Sequence, residues 1–431
     1  MSEVVINTGD TAWMLMSSAL VLLMTPGVAL FYGGMVRAKG VLNMMMMSFT
    51  SMGIVAILWV LYGYSMAFGK DLGGGLIGNP LEMFGLTEEI STDSHFGTVP
   101  TTVFIAFQAM FAIITVALIS GAIADRTRFI GWIIFVVLWS TLVYFPIAHW
   151  VFDFDNGVAD PGGWIANRLH AIDFAGGTAV HINAGVAGLA AALIIGKRIG
   201  FGRAAFKPHN LTLVMIGAGL LWFGWFGFNA GSSIAANATA AITFLNTFIA
   251  TGAAMLAWLL VEKFRDGRAT SLGAASGVVA GLVAITPACS SVDPLGAIVV
   301  GAIAGALCAL AVGLKYRFDV DDSLDVVGVH LVGGLVGSIL VGVFATSKAP
   351  AGVDGLAYGG GFEQLNRQII ASAAVLLYSF IVTYLVVTLI HKTIGMRISP
   401  EAESKGIDLS EHAESAYELG GTRGGVYSWQ Q

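Results

Sequence analysis

Two histidines lie inside long apolar segments of this chain. His181 follows Asp173 by eight residues in DFAGGTAVHIN, and His330 follows Asp325 by five residues in DVVGVH. An ionisable ring at bilayer depth is costly, so it usually serves transport or proton chemistry. Neutral imidazole donates one hydrogen bond and accepts another, and it titrates near physiological pH. The repeated pattern of an aspartate followed by a histidine therefore predicts a pore lined by imidazole.

Each of these residues also has a plainer interpretation. A single intramembrane histidine often does no more than form a hydrogen bond between two helices. The second histidine, in the second half of the chain, favours the interpretation as a pore. Asp173 opens its segment and can act as a helix N-cap, which is worth ~1 kcal/mol, in addition to a role at a binding site. Asp325 begins its helix, and we expect a structural role for it.

The composition is that of an integral membrane protein. Hydrophobic residues make up 56% of the 431 residues, charged residues only 11%, and the mean hydropathy is +0.80. Soluble domains average about 25% charged residues. The 56 glycines suit closely packed membrane helices. Cys289 and Cys308 lie in or beside apolar stretches without metal-ligand spacing, so we expect them to be apolar fillers.

Long apolar runs divide the chain into membrane spans. Most reach the ~20 residues that cross ~30 Å of hydrocarbon, and those at 211 and 272 are a little short. The eleven runs are 11–32, 41–68, 99–123, 129–151, 174–195, 211–228, 238–261, 272–288, 294–314, 326–344 and 369–390. We therefore expect an all-α integral membrane fold of eleven transmembrane helices. The glycine repeats at 273/277/281, 301/305 and 333/337 predict close helix packing.

The charges of the loops predict the orientation and the organisation of the chain. Most Lys and Arg residues fall in alternate loops and in the tail, which by the positive-inside rule places the N-terminus outside and the C-terminus in the cytoplasm. Histidines in runs 5 and 10 suggest two inverted five-helix halves, about 11–195 and 211–344, with an extra helix at 369–390. Residues 1–390 would form the membrane domain and 391–431 a cytoplasmic tail. Inverted repeats usually place the substrate site near the midplane, between the halves.

Several motifs resemble one family over nearly the whole chain. They are DFAGGTAVHIN at 173–183, GWFGFNAGS at 224–232, DVVGVH at 325–330, FQAMF at 107–111, ITPAC at 285–289, and the tail segments around 395–398, 406–409 and 413–417. Together they are similar to the ammonium transporter family (Amt/Mep, bacterial Amt type), which has the Rhesus proteins as distant relatives.

The resemblance implies a multi-pass homotrimer in the cytoplasmic membrane, with one ammonium pore per subunit. By matching motifs, Phe111 and Phe228 would form a stacked aromatic gate. Ser232 and nearby aromatic residues would form an outer ammonium site, with Asp173 supporting it from beneath. His181 and His330 would be the twin pore histidines. A PII-type signal protein would dock on the cytoplasmic face, near a tail that carries Glu401, Glu403, Asp408, Glu411, Glu414 and Glu418.

Elementary electrostatics explains why such a pore would pass the neutral molecule. A bare ammonium ion in an apolar tube costs tens of kcal/mol in the idealised limit, whereas ammonia costs far less. A vestibule can recruit the cation with aromatic faces worth roughly 0.5–2 kcal/mol each, after which the ion loses its proton. Potassium has no proton to lose and would be rejected. Methylammonium would serve as a substrate analogue.

The chain departs from the family pattern at the outer site. Phe152, in the stretch HWVF, takes the position of the usual Trp, and an acidic loop with Asp153, Asp155 and Asp160 follows. Phenylalanine has a weaker cation–π face than tryptophan. The carboxylates could offset this loss by concentrating cations, or Trp164 of the same loop could fold back and supply the missing face.

One geometrical expectation conflicts with the resemblance. Counted from the middles of their apolar runs, at ~1.5 Å per residue, the two histidines would differ in depth by about 10 Å, whereas the family motif implies that they meet. A broken or offset tenth span would reconcile the two expectations.

Other function classes are less well supported. A cation-coupled transporter of another small amine would need acidic residues in mid-span, and the runs contain none. An ammonium sensor of the same fold would need an output domain, whereas about forty residues follow the last run. The sequence shows no metal cluster and no nucleophile–base pair, so we expect neither an enzyme nor a cofactor, and no nucleic-acid partner.

Overall fold

The computed structural model describes residues 5–155, 161–203 and 206–417, so Asp160 and Glu418 lie outside the described residues. The regular secondary structure of the described residues consists of helices and one hairpin, formed by strands β1 (His95–Phe96) and β2 (Val99–Pro100). The helices are α1 (Thr8–Met35), α2 (Val41–Phe68), α3 (Thr101–Ile123), α4 (Phe129–Phe152), α5 (Gly177–Ile195), α6 (Leu211–Gly231), α7 (Ala238–Asp266), α8 (Ser271–Ile285), α9 (Pro294–Arg317), α10 (Val327–Phe344), α11 (Glu363–Thr393), α12 (Pro400–Lys405) and α13 (Ile407–His412). Short helical turns lie at Phe84–Leu86, Ile165–Leu169 and Leu356–Tyr358.

Ten of the helices within the described ranges are long and apolar enough to cross a membrane, namely α1 to α7 and α9 to α11. The protein is therefore a multi-pass membrane protein. The run at 211 gives a helix of 21 residues, but α8 has only 15. At ~1.5 Å per residue, α8 covers about 22 Å, less than the ~30 Å hydrocarbon layer. The polypeptide leaves the helix at Ile285 and turns through Thr286–Ser290, although that stretch is still buried.

Small residues bring α7 and α9 into backbone contact. A Cβ atom on Gly301 would lie 2.2 Å from the carbonyl oxygen of Ala250, and one on Gly305 would lie 2.2 Å from that of Ala254. No side chain fits at such distances, so glycine is required at both positions. The predicted close packing at this glycine repeat is confirmed.

Wide helical turns lie inside two of the spans and at the start of two others. These π-helical turns are Trp59–Gly63 in α2, Ser140–Tyr144 in α4, Gly177–Ile182 in α5 and Val327–Leu331 in α10. A π-turn accommodates an extra residue, rotates the side chains that follow, and is frequent at functional sites. The last two turns contain the predicted pore histidines.

Charged loops gather at one end of the helices. Arg198 binds Asp321 through Nη2 and Oδ1 at 2.8 Å, and Arg37 Nε lies 3.1 Å from Asp125 Oδ2. Burial opposes ionisation of Asp321, but its hydrogen bonds from Arg198 and the charge of Arg126 outweigh this effect and lower its pKa. Arg198 Nη1 also lies 3.5 Å from Asp125 Oδ2, so these ion pairs join four separate loops.

The tail is fastened to the same face. The carboxylate of Asp408 in α13 accepts hydrogen bonds from the backbone N–H groups of Leu42 (3.0 Å) and Asn43 (2.8 Å), which are otherwise unpaired at the start of α2. Glu403 in α12 pairs with Arg397 at 2.8 Å. Burial raises the pKa of Asp408 in spite of these N–H donors.

Candidate functional site

His181 and His330 meet in the interior of the helix bundle. Their Nδ1 atoms lie 3.4 Å apart, their ring centroids 5.4 Å apart, and the rings are nearly parallel at 22°. The side chains are 1% and 3% exposed. The depth difference of about 10 Å counted from the run middles is therefore wrong. Run 5 includes non-helical residues before Gly177, and each histidine lies in the opening π-turn of its helix, so the middle of a run does not mark the depth of a residue.

Glycines allow the two histidine segments to touch. A Cβ atom on Gly185 would lie 2.4 Å from the backbone nitrogen of Leu331, the residue after His330. A Cβ atom on Gly334 would lie 3.0 Å from the carbonyl oxygen of Gly177 and 3.1 Å from the Cβ atom of His181. The two helices thus approach each other at the level of the rings, and the contact fixes the distance between them.

Asp173 caps the helix that carries His181. Its Oδ1 accepts the N–H groups of Gly176 (2.8 Å) and Gly177 (2.6 Å), and its Oδ2 accepts those of Thr178 (2.7 Å) and Ala179 (3.2 Å). The hydroxyl of Thr178 also donates to Oδ2, at 2.5 Å. The side chain is buried, so these bonds satisfy the orphan N–H groups of the first turn in a site of low dielectric. Asp173 is therefore a helix cap, and through that cap it orients the turn that holds His181.

A column of aromatic rings continues from the histidines. The ring of Phe228 lies 6.0 Å from that of His181, and Phe111 lies 4.2 Å from Phe228 with the planes tilted by 30°. Phe152 meets Phe111 edge-on at 6.4 Å. The structure thus brings together four of the predicted site residues in the order His181, Phe228, Phe111, Phe152. The Phe111–Phe228 pair is buried and lies between His181 and the space beyond Phe111.

Trp225, for which no role was predicted from the sequence, lies beside the same column. Its ring is nearly parallel to that of His181, at 5.3 Å and 20°, and lies 5.3 Å from that of Phe228. The indole Nε1 donates to Thr286 Oγ1 at 2.9 Å, which fixes the ring. Its position in the GWFGF motif, three residues before Phe228, was the available signal, since residues three apart share a helix face.

Cavities lie on both sides of the aromatic and histidine column. One of about 70 Å³ lies against Phe111 and Phe152 and is also lined by Ser232, whose hydroxyl donates to the carbonyl oxygen of Phe228 at 2.8 Å. Another, of about 10 Å³, is lined by His330 and Tyr32. A larger cavity of about 480 Å³ adjoins the first and includes Asp173 and Ser232. Within the described ranges, no group of three or more His, Cys, Asp or Glu side chains could hold a metal ion.

Trp164, predicted as a possible outer-site residue, does not lie in the column of aromatic rings. Its ring packs on Trp150 at 5.8 Å, and its backbone N–H donates to the carbonyl oxygen of Gly75 at 3.2 Å. It is not among the residues that line the cavity beside Phe111. Phe152, rather than Trp164, contacts that space. Of the acidic loop, Asp153 Oδ2 lies 3.3 Å from His149 Nδ1, and Asp160 is outside the described residues.

The chain is similar to known proteins over nearly its whole described length. The profile of the Ammonium Transporter Family matches residues 12–417. The ammonium transporter of Mycobacterium tuberculosis is 61% identical over 97% of this chain and 92% of that protein, and that of Corynebacterium glutamicum is 45% identical over 96% and 90%. Among solved structures, Saccharomyces cerevisiae Mep2 superposes with a TM-score of 0.84 at 34% identity, covering 92% of this chain and 88% of that one. A structure titled sensor Amt protein has a TM-score of 0.85 at 29% identity, covering 94% and 98%. The chain belongs to the ammonium transporter family.

Proposed function

We propose that the protein carries ammonium across the cytoplasmic membrane in three steps: the cation binds beside Phe111, gives one proton to water in the adjoining cavity, and passes as ammonia along the two histidines. The observation that carries the proposal is a pair of buried imidazoles behind a closed pair of phenylalanines. His181 Nε2 has no hydrogen-bond partner among the described residues. A buried nitrogen that is left unpaired is costly, so a passing molecule that hydrogen-bonds to it is favoured.

The histidine pair suits ammonia because of its hydrogen-bonding pattern. When two neutral imidazoles share an Nδ1–Nδ1 hydrogen bond, one ring donates and the other accepts. The donor ring then has an Nε2 that accepts, and the other ring has an Nε2 that donates. Ammonia also donates and accepts, so it can exchange partners along the pair. A bare cation would lose most of its hydration among the apolar residues that surround the rings.

The binding step belongs to the cavity on the other side of the phenylalanine pair. Phe111 and Phe152 provide aromatic faces there, Ser232 provides a hydroxyl oxygen, and Asp173 supports the site indirectly through the helix cap. Phe111 and Phe228 are the gate, which must separate for a molecule to pass. His181 and His330 carry the neutral molecule beyond it.

We further propose the membrane arrangement that this function requires. α8 completes eleven crossings, the N-terminus lies outside, and the tail from residue 391 lies in the cytoplasm. The halves 11–195 and 211–344 are inverted, and three subunits associate. The ion pairs that join Arg37, Asp125, Arg198 and Asp321 at one end of the bundle support this orientation, since alternate loops must share a side. The same face, with the tail, is where a PII-type protein would dock.

Uptake into liposomes tests the transport proposal. Purified protein is reconstituted, an inward ammonium gradient is applied, and internal pH and current are recorded together. We expect transport of ammonium and methylammonium and none of potassium, and loss of selectivity or of transport in His181→Ala. A well-inserted protein that moves no ammonium would contradict the proposal. It would instead favour a sensor, the second candidate, because one structural neighbour is titled as a sensor.

A further inference from the structure

Two glutamine side chains near the start of α11 are buried inside the helix bundle. Gln364 and Gln368 are 2% and 1% exposed, and as residues four apart they share one face of the helix. Burying an amide is costly unless its N–H₂ group and its oxygen are hydrogen-bonded. The partners of these two amides therefore show what this face of α11 holds in place.

The Gln368 amide binds the backbone of the residue that precedes Asp173. Its Oε1 accepts the N–H of Ile172 at 2.7 Å, and its Nε2 donates to the C=O of the same residue, also at 2.7 Å. Ile172 lies in the non-helical stretch before α5. The side chain of Gln368 thus pairs with Ile172 as a neighbouring strand would, through one donor and one acceptor.

The same amide also reaches the helix that carries the other histidine. Its Nε2 donates to the C=O of Ser338 in α10 at 3.0 Å, and its Oε1 accepts an amide N–H of Gln364 at 3.0 Å. Both N–H groups and both acceptor positions of the Gln368 amide are then used. α11 and α10 touch closely here, since a Cβ atom on Gly342 would lie 2.4 Å from the Cα atom of Leu365. One side chain therefore joins α11, α10 and the segment that leads into α5.

This junction lies next to the groups that hold His181. Ile172 is followed directly by Asp173, which accepts N–H groups at the start of α5, and the histidine lies in that first turn. Ser338 belongs to the helix that carries the partner histidine. Gln368 thus ties the start of one histidine helix to the body of the other.

Resting on the proposed ammonium transport, we propose that Gln368 is a positioning residue for the histidine pair. It acts through the backbone carbonyls of Ile172 and Ser338, to which its N–H₂ group donates. Together with the close glycine contacts between α5 and α10, it sets the distance between the two imidazole rings. α11, the extra helix outside the two proposed halves, thereby has a function in transport besides packing.

Gln368→Met tests the proposal, because methionine has nearly the same length and no amide group. Ammonium transport in liposomes is measured per folded protein over a concentration series. We expect the maximal rate to fall about ten- to hundredfold, the cost of misplacing groups by about 1 Å. The half-saturating concentration should change less than about threefold, since Gln368 does not line the cavity beside Phe111.

A spectroscopic measurement reports the position of the rings directly. The coupling across the hydrogen bond between the Nδ1 atoms of His181 and His330 is recorded by nitrogen NMR on histidine-labelled protein. We expect this coupling to weaken or vanish in Gln368→Met. A purely structural role of Gln368 would lower the amount of folded protein but leave both the coupling and the rate per folded protein unchanged.

Gln368→Glu provides a rescue that depends on pH. A protonated carboxyl group has one donor and one acceptor, so it can pair with the C=O and the N–H of Ile172. A carboxylate would instead face the carbonyl oxygens of Ile172 and Ser338. We therefore expect its transport rate, relative to the wild type at the same pH, to rise as the pH falls. The charged and titratable side chains around this position are the same in both proteins, namely those of Asp173, His170, Arg367 and Glu363.

Two other substitutions on the same helix face serve as controls. Ser372→Ala removes a buried hydroxyl group, one turn further along, that has no hydrogen-bond partner among the described residues. It should leave the rate and the coupling unchanged. Gln364→Met removes bonds of 3.0, 3.4 and 3.5 Å, none of them to Ile172 or Ser338, and should have a smaller effect than Gln368→Met.

The outcomes separate this inference from the proposed function. If Gln368→Met transports at the wild-type rate per folded protein, or keeps the wild-type coupling while its rate falls, Gln368 does not position the histidines and the inference is overturned. If that variant does not fold, a rate of Gln368→Glu that fails to rise at lower pH overturns it. Absence of transport in the wild type counts against the proposed function, and the coupling still tests the position of the rings.

Discussion

Replacing Asp173 separates its structural role from any direct role with the substrate. Both carboxylate oxygens are engaged, with four backbone N–H groups and the Thr178 hydroxyl as donors. Asp173→Ala leaves all five donors without their acceptor inside the protein. Asp173→Asn retains one oxygen that can accept these hydrogen bonds. Its amide N–H₂ group replaces the other oxygen and is itself a donor, so the N–H groups on that side face a donor and lose their acceptor. The asparagine is therefore a poor substitute here, although asparagine is ordinarily a good N-cap.

The expected cost can be estimated from these contacts. Hydrogen bonds to charged groups contribute about 1.5–3 kcal/mol each, but bonds that share one acceptor are not additive. Losing a buried charged network typically costs about 3–5 kcal/mol. We expect Asp173→Ala to fall in that range and Asp173→Asn to cost roughly half as much, since one oxygen remains. Transport should fall in both variants because the turn that holds His181 is no longer anchored.

The assay compares thermal unfolding of the solubilised protein with ammonium transport in liposomes. Asp293→Asn is the matched control. Asp293 caps α9 through Oδ1, which accepts the N–H of Gly296 at 2.7 Å, and its Oδ2 accepts the hydroxyl of Tyr358 at 3.0 Å. Asparagine keeps one oxygen for this cap, so Asp293→Asn should cost at most about 1 kcal/mol. If Asp173→Asn unfolds at the wild-type temperature and transports normally, the hydrogen bonds of the cap contribute neither to stability nor to transport, which contradicts the prediction. If it unfolds normally but loses transport, the carboxylate acts on the substrate rather than through the cap.

Three further predictions concern other parts of the structure. His181→Ala or His330→Ala should leave a folded protein with altered selectivity or no transport, and normal transport with potassium still rejected in both variants would remove the proposed histidine role. Phe152→Trp should strengthen the apparent ammonium affinity modestly, measured over a concentration series, because the larger ring has a stronger cation–π face; an unchanged concentration dependence in Phe152→Trp and Phe152→Ala would exclude Phe152 from the site. Burial, together with the charge of Asp325, raises the pKa of Asp322 to about 6. In the unfolded chain the pKa of this aspartate is about 4. The protonated carboxyl group therefore stabilises the folded state fully below about pH 4, and this stabilisation is lost as the pH rises through 6. The melting temperature should decline over that window in the wild type and not in Asp322→Asn, so an identical pH profile in the two proteins would contradict the assignment.

The membrane spans could be predicted because their signal is local. A run of some twenty apolar residues identifies a helix without knowledge of its neighbours, and ten such helices lie within the described ranges. The two candidate pore histidines could also be predicted, because a polar ring within an apolar run stands out in the sequence. The relative depth of the two rings along the helix bundle could not be predicted. It depends on where Gly177 and Val327 begin their helices, and apolar composition does not distinguish a helix from the extended chain that precedes it.

Phe111, Phe152 and Ser232 in the wall of the cavity beside Phe111 could be predicted from motifs. The rest of the wall could not, because it comes from segments far apart in sequence. Phe96 lies in a two-residue strand, and Phe154 and Phe174 lie outside regular helices, where no periodicity indicates which way a ring points. Trp164 was an equally reasonable candidate by composition. It packs on Trp150 instead.

The two histidine helices begin in a similar way although their sequences differ. Each opens with a π-turn, and each has an aspartate that accepts N–H groups at its start. In α5 that residue is Asp173, eight positions before the histidine. In α10 it is Asp322, whose carboxylate accepts from Val326 at 3.0 Å and Val327 at 2.7 Å, also eight positions before its histidine. The structural counterpart of Asp173 is therefore Asp322 and not Asp325, which instead pairs with Lys315 at 2.6 Å. With Asp322 in place of Asp325, the capping aspartate lies eight residues before the histidine in both α5 and α10, and the mismatch of eight residues against five disappears.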